Sequence, residues 1–339
     1  MIKIHILHAG IAHKSPYFYN FCKELEKFDD FSYVIDPNLP KTRPEGNGII
    51  YFNRLKRYYD SYDISSAQTF LESIDNLKNM GWKIVFTLHN FFPIDRDITK
   101  IDEYVTSEFI KKCDIVFTLS EFMKKSIEKN YSISVINHGM GFNKLDGDFD
   151  NKLLKDFQID NHKFTFTFVG NIYKYKMLDK VIDAINALDG CQLIIGGIEP
   201  KNSGVNLQSL IEGNEKITYI PGFIGESDWK TITDITDAFI NIYDLNYPQF
   251  KYGFFPSNFI NIYNTGIQCI SPSHEIIREL MPDEQMIYYD QSDTSGLINA
   301  TRYAINRGKI KVENNTLKTY NWEKMMLVFL ENCRKLFEV

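Results

Sequence analysis

Two lysines, Lys174 and Lys176, follow a glycine turn, Val169-Gly170-Asn171, which itself ends an alternating apolar run, Phe164–Val169. Backbone N–H groups and ammonium charge in that order suit a diphosphate, because fixed donors and cations stabilise negative charge that develops as a bond to it breaks. A second candidate lies at Pro256-Ser257-Asn258, ahead of the apolar stretch Phe259–Tyr263 and Gly266. Ser257 or Asn258 fits a helix N-cap, and the N–H groups of such a turn can hold phosphate. Gly196-Gly197 end the run QLIIGG and turn at the same sheet edge. In the first half, His89 ends the strand WKIVFTLHN, and His138 is placed the same way in VINHGMG. Gly10 ends the first strand, before His13-Lys14-Ser15-Pro16, where a glycine permits close backbone approach to a ligand. Each feature also has a plainer reading: a loop histidine bonded for structure, a solvated lysine, an ordinary helix cap.

These groups need a scaffold, and the chain supplies an alternation of strand-like and helix-like segments. Strands are expected at Ile2–Leu7, Phe31–Ile35, Gly48–Tyr51, Lys83–Leu88, Asp114–Thr118 and Ser132–Ile136. Helices are expected at Tyr17–Phe28, Ser66–Asn79, Ile101–Lys112 and Glu121–Asn130, the last capped by Ser120. Gly141–Asn151 is polar, contains glycine, and reads as a linker. The pattern then restarts, with strands at Phe164–Val169, Cys191–Ile195, Ile217–Ile220, Ala238–Ile242, Gln268–Ser271 and Met286–Tyr289 and a last helix from about Asn321 to Phe337. Alternating strands and helices imply parallel sheets with crossover helices. Ligands then bind outside the carboxyl ends of the strands, in a cleft between two such domains. The expected division is 1–145, 146–320, and a terminal helix over 321–339.

Composition narrows the function. At 339 residues the chain is long enough for two domains. Apolar residues at 44% and charged residues at 24% describe a soluble globular protein. A formal net charge of −6 argues against bulk nucleic-acid binding. The five cysteines, Cys22, Cys113, Cys191, Cys269 and Cys333, form no C-x-x-C pair, so they indicate neither a zinc site nor a disulfide framework. MIKIHILHAG reads as a strand rather than a signal peptide, and no apolar run reaches about 18 residues. A cytoplasmic protein is expected.

Several catalytic motifs are absent. No G-x-G-x-x-G follows the first strand and no G-x-x-x-x-G-K-[ST] occurs, which weakens dinucleotide and P-loop readings. His274-Glu275-Ile276-Ile277-Arg278 lacks the second histidine of a metalloprotease helix. The sequon Asn314-Asn315-Thr316 reads as chance.

At these residues the chain resembles GT-B glycosyltransferases, nearest to the bacterial polysaccharide-building group of retaining family-4-type enzymes. FVGNIYKYK looks like that group's G-x-I-x-x-Y-K loop, with Gly170, Ile172, Tyr175 and Lys176 matching. TLHN at Thr87–Asn90 looks like its T-x-H segment, and VINHGM like the segment that closes the first domain. ITDAFINIY, with Asp237, resembles the helix and strand before the diphosphate loop. FFPSNFINIYNTGIQCISP resembles that loop and its helix. HEIIREL resembles the continuation, and TYNWEKMMLVFLENC the terminal helix.

The resemblance implies an α/β GT-B fold: two doubly wound Rossmann-like domains facing across a cleft, with the C-terminal helix crossing back to the N-domain. It implies a hexosyltransferase that uses a UDP- or GDP-linked sugar as co-substrate, with no cofactor and no metal. Lys176 would neutralise the departing diphosphate, and the N–H groups around Ser257, Asn258 and Phe259 would hold it. Gly170, Asn171, Lys174 and Gly197 belong to the same implied donor site. Gly10 would let a first-domain loop approach, and His89 would contact the sugar. The chain departs from the family twice. Asn261 stands where many members carry the second glutamate of Glu-x7-Glu, and Asn171 where many carry arginine. The first change removes the usual grip on the ribose hydroxyls, the second a diphosphate cation. Asp146-Gly147-Asp148 and Asp95-Arg96-Asp97 have metal-motif spacing but lie away from the implied diphosphate site.

The implied acceptor is a sugar, in this group often lipid-linked, in capsule or exopolysaccharide assembly. Arg54, Lys56 and Arg57 with Phe52, Tyr58 and Tyr59 would suit peripheral contact with an anionic inner-membrane surface, as would Lys111, Lys112, Lys124, Lys125 and Lys129 with Phe122 and Met123. Two other readings stay open: a GT-B-shaped partner or carbohydrate-binding subunit without catalysis, and a sugar-nucleotide epimerase.

Overall fold

The computed structural model describes residues 1–8, 16–90, 92, 97–141, 159–160, 162–222, 224, 226–248, 250, 253–313 and 321–338. They form two compact units. The first comprises Met1–Phe142, Tyr252–Phe255 and Leu317–Val339, the second Asn143–Lys251 and Pro256–Thr316.

In the first unit the strands are β1 (Ile2–Ile6), β2 (Phe31–Ile35), β3 (Asn47–Phe52), β4 (Lys83–Leu88), β5 (Ile115–Thr118) and β6 (Ile136–Asn137). All pair in parallel, in the order β2-β1-β3-β4-β5-β6. Strands β3 and β4 are almost wholly buried, which is why they read as unbroken apolar runs. Helices α1 (Pro16–Leu25), α2 (Ile64–Asn79), α3 (Lys100–Lys112) and α4 (Glu121–Tyr131) cross over between them. Thr99 and Asp102 close a capping box on α3, and Ser120 accepts from the Met123 N–H at the start of α4 as expected. A strand was expected over Ser132–Ile136; Ser132 instead ends α4 in the left-handed region (φ 53°), and β6 begins only at Ile136.

The second unit contains β7 (Phe164–Val169), α5 (Leu178–Asn186), β8 (Cys191–Gly197), α6 (Leu207–Ile211), β9 (Ile217–Pro221), α7 (Glu226–Ile235), β10 (Ala238–Ile240), α8 (Asn258–Thr265), β11 (Cys269–Pro272), α9 (Glu275–Leu280), β12 (Met286–Tyr289) and α10 (Gly296–Arg307). Its sheet is again parallel, in the order β12-β11-β10-β7-β8-β9. Val181 and Ile185 of α5 and Ala300 and Ala304 of α10 bury one face against Phe166, Phe168, Leu193 and Ile195. The other face takes Trp229 of α7 against Phe239.

The last helix, α11 (Trp322–Lys335), belongs to the first unit and packs beside α1. Phe329 meets Phe21, Tyr51 and Phe117 at ring-centroid distances of 5.1, 5.3 and 5.1 Å. Arg334 pairs with Asp30 at 2.8 Å. Four of the cysteines are buried and Cys113 is partly so, and none is bonded to another. Among the described residues no helix is long and apolar enough to cross a membrane.

Candidate active site

Each sheet has one point where successive connections leave in opposite directions. In the first unit it lies between β1 and β3, in the second between β7 and β10. Crevices at such points, beyond the carboxyl ends of the strands, are where open α/β sheets bind ligands.

In the second unit, two glycines make the crevice. Gly170 (φ 137°) ends β7 and Gly197 (φ 147°) ends β8, and a Cβ on Gly197 would lie 2.0 Å from the Gly170 carbonyl oxygen. A Cβ on Gly170 would lie 2.3 Å from Asn258 Nδ2. That amide nitrogen donates to the Val169 carbonyl at 2.7 Å. The expected cap on α8 is therefore corrected. Ser257 occupies the cap position with helical angles (φ −54°, ψ −24°) and its side chain caps nothing, while Asn258 spends its side chain on β7. Phe259 N and Ile260 N bond back to Pro256 and Ser257 carbonyls. The N–H groups of Ser257 and Asn258 donate no bond among the described residues, so the positive end of α8 is open beside Gly170.

Lys176 completes this crevice. It is 4% exposed, at the end of a single 3-10 turn (Lys174–Lys176). Its ammonium lies 3.7 Å from the Tyr243 ring centroid, 5.8 Å from Tyr175 and 5.9 Å from Phe168. No carboxylate or hydrogen-bond acceptor meets it among the described residues. Burial pushes its pKa well below the ordinary lysine value; the electron-rich ring faces offset part of that cost. The pair is fixed from outside. Asp244 N donates to the Tyr175 carbonyl at 2.8 Å. Gln291 Nε2 donates to the Tyr243 carbonyl at 2.7 Å and contacts Met177 Sδ, while its Oε1 accepts from Leu245 N. The Tyr243 ring also lies 6.0 Å from Phe259 in the first turn of α8, so one aromatic side chain links the lysine to the open helix end.

Asn241, just past β10, is 1% exposed and neither atom of its amide has a hydrogen-bond partner among the described residues. Lys174 and Asn171 are exposed, and Asn261 is half-buried one turn into α8. Asp237 is occupied structurally, accepting from Thr165 N at 2.8 Å.

The first unit gathers histidines at its sheet edge. His89 follows β4, and its ring stands edge-on to Tyr17 at 4.3 Å. His89 keeps some surface overall, yet its Nε2 is shielded and unpartnered among the described residues. Burial, helped by Arg54, pulls its pKa down to about 3. His138 is held more fully: Nδ1 lies 2.6 Å from the Gly139 carbonyl and Nε2 3.2 Å from Thr87 Oγ1. The first bond requires hydrogen on Nδ1, so Nε2 accepts from the threonine. Burial lowers its pKa to about 4. The Tyr17 and Tyr51 hydroxyls meet at 3.2 Å beneath.

Gly10, Asp95-Arg96, Asp146-Gly147-Asp148 and the expected linker after Gly141 lie outside the described residues. The expected membrane-facing apolar side chains need correction. Phe52, Tyr59 and Met123 are 0%, 7% and 0% exposed, because they fill the first unit's core, whereas Tyr62 is 79% exposed. Sequence reading missed Tyr243, Asn241, Tyr17 and Gln291. The run INIYD gave a signal for Tyr243, a polar and aromatic break at the end of a buried strand; Gln291 gave none. Among the described residues no group of three or more His, Cys, Asp or Glu is placed to hold a metal ion.

No family model and no curated protein matches this chain. Solved structures do. Sucrose-phosphate synthase from Thermosynechococcus elongatus superposes with a TM-score of 0.69 at 13% identity, over 99% of this chain and 98% of that one. Anabaena HepE in complex with UDP-glucose gives 0.70 at 11% identity, over 99% and 100%. A UDP-forming trehalose-phosphate synthase from Burkholderia xenovorans gives 0.54 at 12% identity, over 86% and 75%. Identities this low speak for the fold, and the fold is GT-B.

Proposed function

We propose that this chain is a glycosyltransferase that moves a hexose from a nucleoside-diphosphate sugar to a sugar acceptor. The observation that carries the reading is Lys176: a buried lysine with no acidic partner among the described residues, beside a helix N-terminus whose first N–H groups donate no bond among them, at a sheet's switch point. A diphosphate supplies the missing counter-charge. As the bond between the anomeric carbon and the diphosphate oxygen breaks, negative charge grows on that oxygen. Lys176 and the Ser257 and Asn258 N–H groups are aimed where it grows, so the step runs without a metal. The acceptor hydroxyl forms the new bond to the anomeric carbon and gives up its proton. His89, kept neutral, serves as a hydrogen-bonding group to the sugar.

UDP is the first donor base to try, since HepE was crystallised with UDP-glucose; GDP is the second. The acceptor belongs to the first unit, and a lipid-linked oligosaccharide in capsule or exopolysaccharide assembly, on the cytoplasmic face of a membrane, is the finer reading. Asn261, where a carboxylate would grip the ribose, favours a second one: a carbohydrate-binding subunit without catalysis. Titration of UDP, GDP and their hexose conjugates against the pure protein separates the two. Saturable nucleotide binding with slow release of hexose from the donor is expected. Binding of sugar polymer with no nucleotide affinity would sink the transferase.

A further inference from the structure

We propose that Gln291 is the positioning residue for Lys176: its one amide ties together the turns that follow three strands, so that the ammonium stays over the Tyr243 ring. The inference rests on the transferase role given above to Lys176. Gln291 stands two residues past β12, at the edge of the second sheet, and β11 and β10 separate β12 from β7. Its amide nevertheless reaches the turns after both β10 and β7. Nε2 donates to the carbonyl of Tyr243 at 2.7 Å and lies 3.1 Å from the sulfur of Met177, the residue after Lys176. Oε1 accepts from Leu245 N at 2.8 Å. Both ends of the amide are therefore engaged, on either side of the lysine and its ring.

Lys176 does not hold itself in place. Its ammonium makes no hydrogen bond or ion pair among the described residues, so its position is set by the turn that carries it and the ring beneath it. That turn ends at Met177 in the left-handed region (φ 49°, ψ 40°), one of two non-glycine residues with positive φ among those described. A residue with a Cβ disfavours this conformation and keeps it where its surroundings over-determine it. Met177 N donates to the Lys174 carbonyl at 3.0 Å, its side chain packs on the second unit's core, and its sulfur meets Gln291. Gln291 is braced in turn, because Asp290 Oδ1 accepts from Ser292 N at 2.9 Å and from Ser292 Oγ at 2.7 Å. The bond from Asp244 N to the Tyr175 carbonyl, 2.8 Å long, joins the same two turns independently. Loss of Gln291 thus loosens the lysine without undoing the fold.

A double-variant cycle on the full chain tests this, with release of hexose from UDP-glucose and GDP-linked hexose as the assay. Gln291→Met keeps the side chain's length and removes its donors and its acceptor. Turnover is expected to fall about tenfold while KM for the donor changes by less than about threefold, since Lys176 acts most strongly as the bond breaks. In the Lys176→Ala background the same change should cost less than about twofold, because a residue acting through the lysine has nothing left to position. A purely structural role would cost the same in both backgrounds. A second readout needs no substrate. The ε-methylene protons of Lys176, held over a ring face, should resonate upfield of those of the other lysines in the wild type and move toward them in Gln291→Met. If that variant does not fold, Gln291→Glu, which keeps the oxygen that accepts from Leu245 and loses the donor to Tyr243, replaces it in both measurements. Unchanged turnover, equal losses in the two backgrounds, or a Lys176 resonance unmoved by the variant overturns the proposal. If the wild type releases hexose from neither donor, the transferase reading fails, and the resonance still decides whether Gln291 positions the lysine.

Discussion

The Lys176 ammonium rests 3.7 Å from the centre of the Tyr243 ring, and both side chains are buried. A lysine is rarely buried without a partner, because desolvating its charge costs several kcal/mol. The fold accepts that cost at a sheet edge where Gly170 and Gly197 approach closely and, among the described residues, the Ser257 and Asn258 N–H groups donate no bond.

Replacing Lys176 should therefore separate activity from stability. Lys176→Ala is expected to lower turnover by at least roughly tenfold with the fold intact. Lys176→Met, which keeps the volume, should raise stability near neutral pH by on the order of 1 kcal/mol or more. The sign follows from the lowered pKa: between that value and 10.5 the unfolded chain holds a proton that the folded chain lacks, so this lysine opposes folding more as pH falls. Urea unfolding at several pH values, beside a steady-state assay, reads both. Wild-type turnover in the alanine variant would remove the mechanism.

Gly197→Ala tests the glycine pair. Its Cβ would meet the Gly170 carbonyl at 2.0 Å, backbone against backbone, from a φ of 147°. A cost of at least about 2 kcal/mol in stability is expected, together with loss of nucleotide binding. Calorimetric melting with and without UDP measures the two together; an alanine variant that melts and binds like wild type would disprove the close approach.

Acid should unfold the first unit through its histidines. His138 falls from an ordinary 6.5 to about 4 in the folded state, and His89 to about 3. In this window the unfolded chain binds more protons. The stabilisation is thus complete above pH 6.5 and is lost as pH falls toward 4, with His138 contributing on the order of 3 kcal/mol. His138→Gln should flatten the stability profile between pH 6.5 and 4. An unchanged slope in that variant would show that the ring titrates freely.

Gly141→Ala should loosen the terminal helix. The added methyl would fall 2.0 Å from the Trp322 indole, at the start of α11. Trp322 would have to leave its site against Tyr17, 5.3 Å away between ring centroids. We expect a loss of about 2 kcal/mol, with faster amide exchange in α11 than in β7. Uniform exchange in both elements would argue against a local effect.

Parallel strands buried on both faces leave a strong trace in the sequence, and Lys83–Leu88, Phe164–Val169 and Met286–Tyr289 lie where their apolar runs place them. Ser132–Ile136 shows the limit. Alternation of Ile133 and Val135 looks like a strand, but a left-handed Ser132 ends the preceding helix and the ladder begins later. The α8 cap failed for a related reason: Asn258 has the right chemistry for capping, and its partner is a carbonyl 89 residues away.

Local order followed from the sequence because it depends on neighbours along the chain: the alternation of strand and helix, the glycine turn before Lys176, the cap at Ser120 and the start of the last helix near Asn321. Tertiary structure alone decided which groups lack partners. Whether Lys176 is buried against an aromatic ring or solvated depends on side chains brought together from distant strands. Charge and hydrogen-bond balance is a property of that assembled neighbourhood, and no pattern along the chain encodes it.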